Sequence, residues 1–344
     1  MSSVNDLRAS ATGLGPWPGG DPAEANRIIR GELGHPHLPF LPELPDRGVG
    51  SDAVGRSASL LVDLAIDVQP HGWRLVDRPG KDAQRARSAL ATDINILADV
   101  AGAEEVSAGE LKVQMLGPLS LAASLHLHNG ERALLDYGAR RDIAESLAAG
   151  VADHLRRVSA AVPGAGIVVQ VDEPDIASVM AGTIPTASGY RTLRSIPGEE
   201  VTAAWRLLID ALKAAGVVET VLSVPEVEAP IERILAAGAD GVSVPLRALT
   251  TRQWEHLAAA VEDGKRVWAG ALPTYDSQAP LPRASDVVES IWKPWRQLGL
   301  PASALSGLRV TPSTGLAGFK PSAAKDVLTK LTHVADGLDQ LAQG

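Results

Sequence analysis

The chain contains no cysteine among its 344 residues. That absence excludes disulfides, cysteine-ligated zinc and iron–sulfur clusters, and thiol nucleophiles. Aromatic residues make up only 3% of the sequence, which is too few for the stacking platforms that bind single-stranded nucleic acids. No apolar run reaches the roughly 18 residues that a membrane-spanning helix requires.

Basic residues are also in deficit. Lysine and arginine total 32 against 41 aspartates and glutamates, which gives a net charge of −9. Nucleic-acid backbones and anionic membranes attract basic clusters, so neither is an expected partner. Residues 1–10 are polar and lack the apolar stretch of a signal peptide. We therefore predict a cytoplasmic protein with a small-molecule ligand; the sequence does not indicate its oligomeric state.

Short apolar segments alternate with longer amphipathic ones along the whole chain. Strands are predicted at 11–15, 60–68, 112–116, 166–171, 219–224, 241–244, 266–271 and 307–310; segment 60–68 is ambiguous between helix and strand. Helical periodicity is found at 82–100, 142–162, 199–215, 227–237, 251–262, 285–298 and 322–341. Such alternation favours a parallel sheet with right-handed crossovers, and eight repeats suit a single (β/α)8 TIM barrel over residues 1–344. A doubly wound open sheet is the alternative.

Segment 18–56 is rich in proline, with Pro36, Pro39, Pro42 and Pro45 close together. Proline lacks an N–H group and interrupts helices, so a regular helix throughout this segment is excluded. Because the segment follows the first strand, we predict a long loop over the C-terminal mouth of the barrel, where barrel active sites lie.

The sharpest local motif is Gln-Val-Asp-Glu-Pro at 170–174, where two carboxylates leave an apolar strand together. Side chains alternate along a strand, so Asp172 and Glu173 point to different sides. A carboxylate at the mouth can bind an ammonium group or act as a general acid or base. The alternative is that the pair caps the next helix.

Four motifs in order resemble the C-terminal catalytic barrel of cobalamin-independent methionine synthase, which is related to uroporphyrinogen decarboxylase. Segment 12–18 resembles the family's Thr-x-x-Gly-Ser-Phe-Pro, and 115–120 resembles its Gly-Pro strand end. Segment 170–174 resembles Gln-x-Asp-Glu-Pro, and 312–316 resembles Pro-Asp-Cys-Gly-Leu. The motifs span nearly the whole chain.

The resemblance implies a methyltransferase-type (β/α)8 barrel of methionine biosynthesis and one-carbon metabolism. Its mouth would bind a small amino acid or a folate-type one-carbon carrier. Asp172 occupies the position that helps to hold the homocysteine amino group in the family. A close backbone approach at Gly15 and stacking on Trp17 also fit this site.

The resemblance further implies a zinc site, but this chain departs from it at every ligand. The family uses a His-x-Cys after strand five, a Glu after strand six and the Cys of its last motif. Here segment 221–224 reads Val-Leu-Ser-Val, the strand-six position is Pro245, and Thr314 and Ser313 replace Cys and Asp. Pro16 replaces the opening serine. Such residues do not supply a tetrahedral zinc site, so we predict no zinc and no zinc-dependent homocysteine methylation.

Other candidates have structural alternatives. Trp73 is predicted to wall the pocket and Arg74 to bind a carboxylate; a packed Trp beside an extended Arg is the alternative. Tyr190 is predicted to reach the mouth from a loop, or else to pack within that loop. Ser313 and Thr314 begin a small polar turn where barrels often bind phosphate or carboxylate.

Two histidine pairs, His126 with His128 and His35 with His37, have no evident third ligand, so ordinary loop or helix histidines are favoured.

Two hypotheses follow. The first is a metal-independent enzyme with Asp172 or Glu173 as the acid–base group. One form of this hypothesis is an enzyme of the decarboxylase branch, with Arg47 and Arg56 as the nearest candidates for the arginine cluster of that branch. The second is a non-catalytic binding protein that retains the pocket. A cluster of polar groups around Asp172 would favour an enzyme.

Overall fold

Seven parallel strands form one continuous curved sheet. The computed structural model describes residues 7–104, 109–225, 228–247 and 249–344. Strand order is β1-β9-β8-β7-β6-β5-β4. The strands are β1 (Ser10–Ala11), β4 (Glu110–Leu116), β5 (Gly166–Asp172), β6 (Glu219–Ser223), β7 (Gly241–Pro245), β8 (Arg266–Leu272) and β9 (Leu308–Pro312). Strands such as β5 are buried on both faces, as parallel strands covered by helices are.

The gap between β1 and β4 is filled by residues 38–43, which we call the closing segment. Leu38 N–H donates to the Ala11 carbonyl at 2.9 Å, and Glu43 N–H donates to the Gly15 carbonyl at 3.0 Å. On the other side, Leu41 N–H donates to the Lys112 carbonyl, and Lys112 N–H donates to the Pro39 carbonyl, both at 2.9 Å. The closing segment completes the wall, and the predicted (β/α)8 barrel is confirmed.

The second barrel strand was therefore placed wrongly at 60–68. That region contributes to a separate antiparallel hairpin of β2 (Ala65–Gln69) and β3 (Gly72–Val76). The hairpin does not belong to the barrel sheet. Its sequence has the apolar character of a strand, but apolar character alone does not say which sheet a strand joins.

Helices connect and cover the strands. They are α1 (Pro22–Glu32), α2 (Ala53–Ala58), α3 (Lys81–Gly102), α4 (Pro118–Ser124), α5 (Tyr137–Ala161), α6 (Ile176–Ala181), α7 (Gly198–Ala214), α8 (Ile231–Ala236), α9 (Thr251–Glu262), α10 (Ala284–Gln297) and α11 (Pro321–Gln343). The predicted start of a helix at residue 227 lies outside the described residues, as do residues 1–6. Within the described ranges, no helix combines the length and apolar character needed to cross a membrane.

The prediction that 18–56 is one long loop is wrong. Helix α1 occupies its first part, where Asp21 caps the N-terminus by accepting from the Ala23 and Glu24 N–H groups. The closing segment occupies its middle. Only Glu43, at the end of the closing segment, and Ala53, further along, line the mouth cavity described below.

The inside of the barrel carries polar side chains at alternating strand positions. Toward the N-terminal ends of the strands, Arg309 lies 3.4 Å from Glu219, and the Trp268 indole N–H donates to Glu219 at 2.9 Å. Further along the interior, Lys112, the third residue of β4, is hydrogen-bonded to Gln170, which lies near the C-terminal end of the neighbouring strand β5. This polar interior leads directly to the mouth.

Candidate functional site

A cavity of about 280 Å³ opens at the carboxyl ends of the barrel strands. Its lining includes Asp172 from β5, Ser223 from β6, Ser243 from β7, Thr311 from β9 and Glu43 from the closing segment. Leu14 and Pro16 come from the turn after β1. Parallel strands bring their carboxyl ends to one edge, so residues far apart in the sequence meet here.

Asp172 lies half-buried in this cavity, as the sequence predicted for a mouth-facing carboxylate. The Gln170 side-chain amide donates to its Oδ1 at 2.7 Å and to the Leu14 carbonyl at 2.9 Å. Burial, reinforced by the nearby Glu43 carboxylate, raises the pKa of Asp172 to about 7. Lys112 and the hydrogen bonds from Gln170 and Ser223 act in the opposite direction. At neutral pH the protonated and ionised forms of this carboxyl group are therefore both populated.

Glu43 is a second carboxylate of the cavity, and it is almost fully buried. Burial raises the pKa of Glu43, while Arg56 and a hydrogen bond from Gln114 oppose the rise. The Arg56 Nε lies 3.9 Å from Glu43 Oε1. The guanidinium of Arg56 also binds Asp93, which Arg47 binds as well. Both arginines are thus held in a network beside the cavity.

Lys112 lies in the barrel interior and has no exposed surface. Its Nζ donates to Gln170 Oε1 at 2.7 Å and lies 5.1 Å from the centre of the Phe40 ring. Burial lowers the pKa of Lys112 to about 7, although Asp172 and Glu43 oppose the change. The amine is therefore linked through one side chain, Gln170, to the carboxylate in the cavity.

Glu173 does not belong to the site. Its oxygens accept the Leu119 N–H at 3.1 Å, the Ser120 N–H at 2.7 Å and the Trp205 indole N–H at 2.8 Å. It is fully buried on the opposite face of β5 and caps the N-terminus of α4. The assignment of Glu173 as an acid–base group is corrected: it ties β5 to α4 and α7.

The turn after β1 has two different roles. Gly15 has a φ of +120°, and a Cβ there would lie 2.7 Å from the Gln114 side chain. It lets the chain pass close to the barrel interior between the two lining residues Leu14 and Pro16. Trp17 is 1% exposed and packs edge-on against Phe40 at 6.4 Å. The proposed stacking of a ligand on Trp17 is therefore wrong.

Three further candidates lie away from the cavity. Trp73 is buried in the hairpin, where it packs against Gly55. Arg74 Nη2 lies 3.1 Å from His128 Nδ1. Tyr190 is 94% exposed on a loop. None of the three is part of the cavity lining, so their predicted roles at the mouth are corrected to structural or surface ones.

The polar turn after β9 lies at the mouth, as predicted, but its hydroxyls have partners. Ser313 lines the cavity, and its Oγ donates to the Gly270 carbonyl at 3.1 Å. The Thr314 Oγ1 donates to the Thr274 carbonyl at 2.8 Å, and its N–H donates to Thr274 Oγ1 at 2.9 Å. Ser313 remains a candidate contact, whereas Thr314 mainly joins two loops.

The mouth does not match the donor chemistry of a zinc site. Ser223 and Pro245 end β6 and β7, and Ser313 with Thr314 follows β9. Hydroxyls and proline do not replace thiolate and imidazole ligands. Across the described ranges, no group of three or more His, Cys, Asp or Glu residues is arranged to hold a metal ion. His126 is instead buried beside the Trp73 carbonyl and the His71 ring.

Sequence reasoning missed Glu43, Lys112 and Ser223 as members of the site. A signal for Lys112 was present, since Lys112 and Gln114 alternate with apolar residues in a strand that is otherwise apolar. Polar residues with period two on a barrel strand indicate an interior-facing polar row. Glu43 carried no comparable signal, because it stood in a segment interpreted as a loop.

Comparison with known proteins agrees with this architecture. A family model described as "Cobalamin-independent synthase, Catalytic domain" matches residues 9–337. A B12-independent methionine synthase from Shewanella sp. W3-18-1 in complex with selenomethionine has a TM-score of 0.61 at 13% identity, covering 97% of this chain and 98% of that one. A putative phosphonomutase from Burkholderia cenocepacia J2315 covers 97% and 96% at 14% identity, but its TM-score is only 0.38. No curated protein matches the sequence.

Proposed function

The chain belongs to the family of cobalamin-independent synthase catalytic domains, and on that premise we propose that its barrel mouth binds a small amino acid. Asp172 and Glu43 receive the ammonium group of this ligand. The observation that carries the proposal is the presence of both carboxylates in one cavity of about 280 Å³.

The electrostatics of the cavity support a cationic group. Burial raises the pKa of both carboxyl groups above their ordinary values, because their ionised forms lack the solvation that they would have in water. A ligand ammonium group gives the ionised carboxylates a partner of opposite charge, and the attraction between them is strong in a cavity of low dielectric constant. Binding should therefore release a proton from the carboxyl pair near neutral pH.

The dimensions and walls of the cavity support a ligand of amino-acid size. Ligand cavities commonly measure roughly 300–1,000 Å³, so this one lies at the lower end. Leu14, Leu116, Val224 and Val244 provide apolar walls for a short side chain. The Shewanella protein was solved with selenomethionine, a ligand of this class. A folate-type one-carbon carrier is larger and would have to extend beyond the cavity.

We further propose that the protein does not methylate homocysteine by a zinc-dependent route. Zinc activates a thiol by holding it as a thiolate, and this requires several thiolate, imidazole or carboxylate ligands in one place. Ser223, Pro245 and Thr314 stand at the positions where the resemblance places those ligands.

A metal-independent enzyme is the second candidate, because Asp172 and Lys112 both have pKa values of about 7. Groups that titrate near neutrality are suited to proton transfer and cluster at active sites. The decarboxylase variant has less support, since Arg47 and Arg56 are both engaged with Asp93. A non-catalytic binder would bind the same ligand without converting it.

Calorimetry with L-methionine and its des-amino analogue tests the proposal. We expect binding of L-methionine and at least tenfold weaker binding of the analogue. Asp172→Asn should weaken L-methionine binding by about 1.5–3 kcal/mol, the range for a hydrogen bond to a charged group. Asp263→Asn, at an exposed carboxylate following α9, is the control and should bind normally. Equal affinity of wild type and Asp172→Asn would reject the role of Asp172.

Incubation of the complex with candidate co-substrates, followed by mass spectrometry, separates an enzyme from a binder. Homocysteine with 5-methyltetrahydrofolate is the first pair to test, because the homocysteine thiol can accept the methyl group that this folate-type carrier donates. Chemical change of the bound amino acid that is lost in Asp172→Asn would favour the metal-independent enzyme. Recovery of the unchanged ligand throughout would favour the non-catalytic binder.

A further inference from the structure

Lys112 is an unusual residue to find inside a barrel, because it is fully enclosed and its ammonium group has few partners. A protonated lysine has three N–H donors. Among the described residues, its Nζ makes one hydrogen bond, to Gln170 Oε1 at 2.7 Å. The faces of Phe40 and Trp268 lie 5.1 and 6.0 Å from Nζ. A buried charge with so little compensation needs a reason to be there.

We propose that Lys112 is a positioning residue that acts through Gln170 to keep Asp172 ionised for an ammonium ligand. The inference rests on the proposed function and adds a residue that lies behind the cavity and does not line it. It also assigns a role to Gln170, whose amide joins the two charged groups.

The direction of the hydrogen bonds supports this role. Lys112 donates to the Gln170 oxygen, and the Gln170 nitrogen donates to Asp172 Oδ1 at 2.7 Å and to the Leu14 carbonyl at 2.9 Å. Along the path from Lys112 through Gln170 to Asp172, each hydrogen bond is donated toward the carboxylate. A positive charge at the far end polarises the amide and strengthens its bond to an ionised Asp172. The second bond, to Leu14, fixes the orientation of the amide.

Among the charged groups around Asp172, Lys112 is the one that favours the ionised carboxylate. The groups that face Asp172 or Lys112 from neighbouring elements are Glu43 from the closing segment, Ser223 from β6 and Arg309 from β9. Glu43 opposes ionisation of Asp172, and Arg309 opposes protonation of Lys112. Arg56 and Asp52 act on Glu43. Lys112 is therefore the cation that lowers the pKa of Asp172.

Without the Lys112 charge, Asp172 keeps its proton to higher pH. An ammonium ligand prefers the ionised carboxylate, so a variant without the charge needs a higher pH for full affinity. A purely structural role would instead weaken binding by the same factor at every pH.

Lys112→Met removes the charge and keeps an extended apolar side chain, and Lys81→Met, at an exposed lysine, is the matched control. Carboxyl-carbon NMR of the ligand-free proteins should show the Asp172 midpoint near pH 7 in wild type. In Lys112→Met we expect it at least about one unit higher, and unchanged in Lys81→Met. The L-methionine affinity of Lys112→Met should be about tenfold lower at pH 6.5, since one pKa unit is a factor of ten. This deficit should shrink by pH 9. An unshifted midpoint, or an equal loss at all pH values, would overturn the proposal.

Gln170→Leu is a second test variant, which removes the amide between Lys112 and Asp172 but keeps the lysine. It should also raise the Asp172 midpoint, and adding Lys112→Met to it should produce little further change, because the lysine then has no route to Asp172. Fully additive shifts would contradict action through Gln170. If L-methionine binds neither wild type nor any variant, the proposed ligand is wrong, while the NMR titrations still decide the role of Lys112. If Lys112→Met does not fold, the titration of Gln170→Leu decides. An unshifted Asp172 midpoint in that variant contradicts the action of Lys112 through Gln170.

Discussion

Asp172 and Glu173 are adjacent carboxylates with opposite surroundings. Asp172 lines the cavity and shares a hydrogen bond with Gln170, whereas Glu173 accepts three N–H groups behind the sheet. The alternation of side chains along β5 separates them. Substitution of Asp172 should therefore weaken ligand binding, whereas substitution of Glu173 should lower the stability of the fold and leave ligand binding unchanged.

The pH dependence of stability should change in Asp172→Asn. The folded-state pKa of Asp172 is about 7, above its ordinary value of 3.8. Between these values the folded protein keeps a proton that the unfolded chain has lost, so this group's contribution to stability falls as pH rises from about 4 to 7. Urea unfolding should show the variant gaining stability relative to wild type across this window, and no further above it. A constant difference from pH 4.5 to 8 would contradict the raised pKa; Asp263→Asn should track wild type.

Glu173→Gln should destabilise the fold. The glutamine oxygen can keep the two bonds made by Oε1, but its NH2 group would face the Ser120 N–H that now donates to Oε2. One buried donor loses its acceptor, which should lower the free energy of unfolding by about 1–3 kcal/mol. Glu255→Gln on the exposed face of α9 serves as the control. Reduced ligand affinity with unchanged stability would show that Glu173 belongs to the site after all.

At the residue scale, the sequence identified Asp172 because a motif ended a strand at the mouth. It also named Trp17, Trp73 and Arg74, whose side chains pack or pair elsewhere. Residue type and position along a strand indicate which residues are candidates. They do not indicate that Trp17 turns inward onto Phe40, because that depends on the path of the closing segment.

The closing segment is the element that sequence reasoning missed. Prolines are rare in central strands, since they lack the N–H group that a ladder requires. Here Pro39 takes part through its carbonyl, and Leu38, Leu41 and Glu43 supply the donors. The prolines therefore occupy positions where no donor is needed. Periodicity does predict the other barrel strands and most helices, because their apolar patterns extend over longer runs.

The turn that joins β1 to the mouth should be sensitive to a single methyl group. Gly15→Ala places a Cβ 2.7 Å from the Gln114 side chain. Gly48 also has a positive φ, +89°, but nothing lies within 4 Å of a Cβ there. Both substitutions strain the backbone, so the excess cost of Gly15→Ala over Gly48→Ala should be about 1–3 kcal/mol from overpacking. Thermal or urea unfolding measures this difference, and equal losses would show that Gln114 moves aside freely.

At the scale of the whole molecule, the barrel encloses charged groups from one end to the other. Arg309 and Glu219 pair toward the N-terminal ends of the strands, Lys112 lies further along the interior, and Asp172 and Glu43 meet the cavity. The two carboxylates at the mouth thus adjoin a barrel interior that contains further polar and charged side chains. The cytoplasmic location inferred from the sequence stays a prediction.

The whole protein should fold and remain stable without zinc. The chain has no cysteine, and its strand ends present Ser223, Pro245 and Thr314 where the resemblance implies metal ligands. We expect elemental analysis to find no stoichiometric zinc, and a chelator to leave the Tm unchanged. About one zinc per chain, bound tightly enough to survive purification, would contradict this expectation, since such binding requires several good ligands. Methyl transfer to homocysteine should also be absent when zinc is added.

A crystal structure of the protein with bound L-methionine tests the central claim most directly. The account predicts that the ligand lies in the mouth cavity, with its ammonium nitrogen about 2.7–3.2 Å from a carboxylate oxygen of Asp172 and with Glu43 facing the same group. A ligand that binds in this cavity with its amino group turned away from both carboxylates, or that binds at another place on the molecule, would contradict the account.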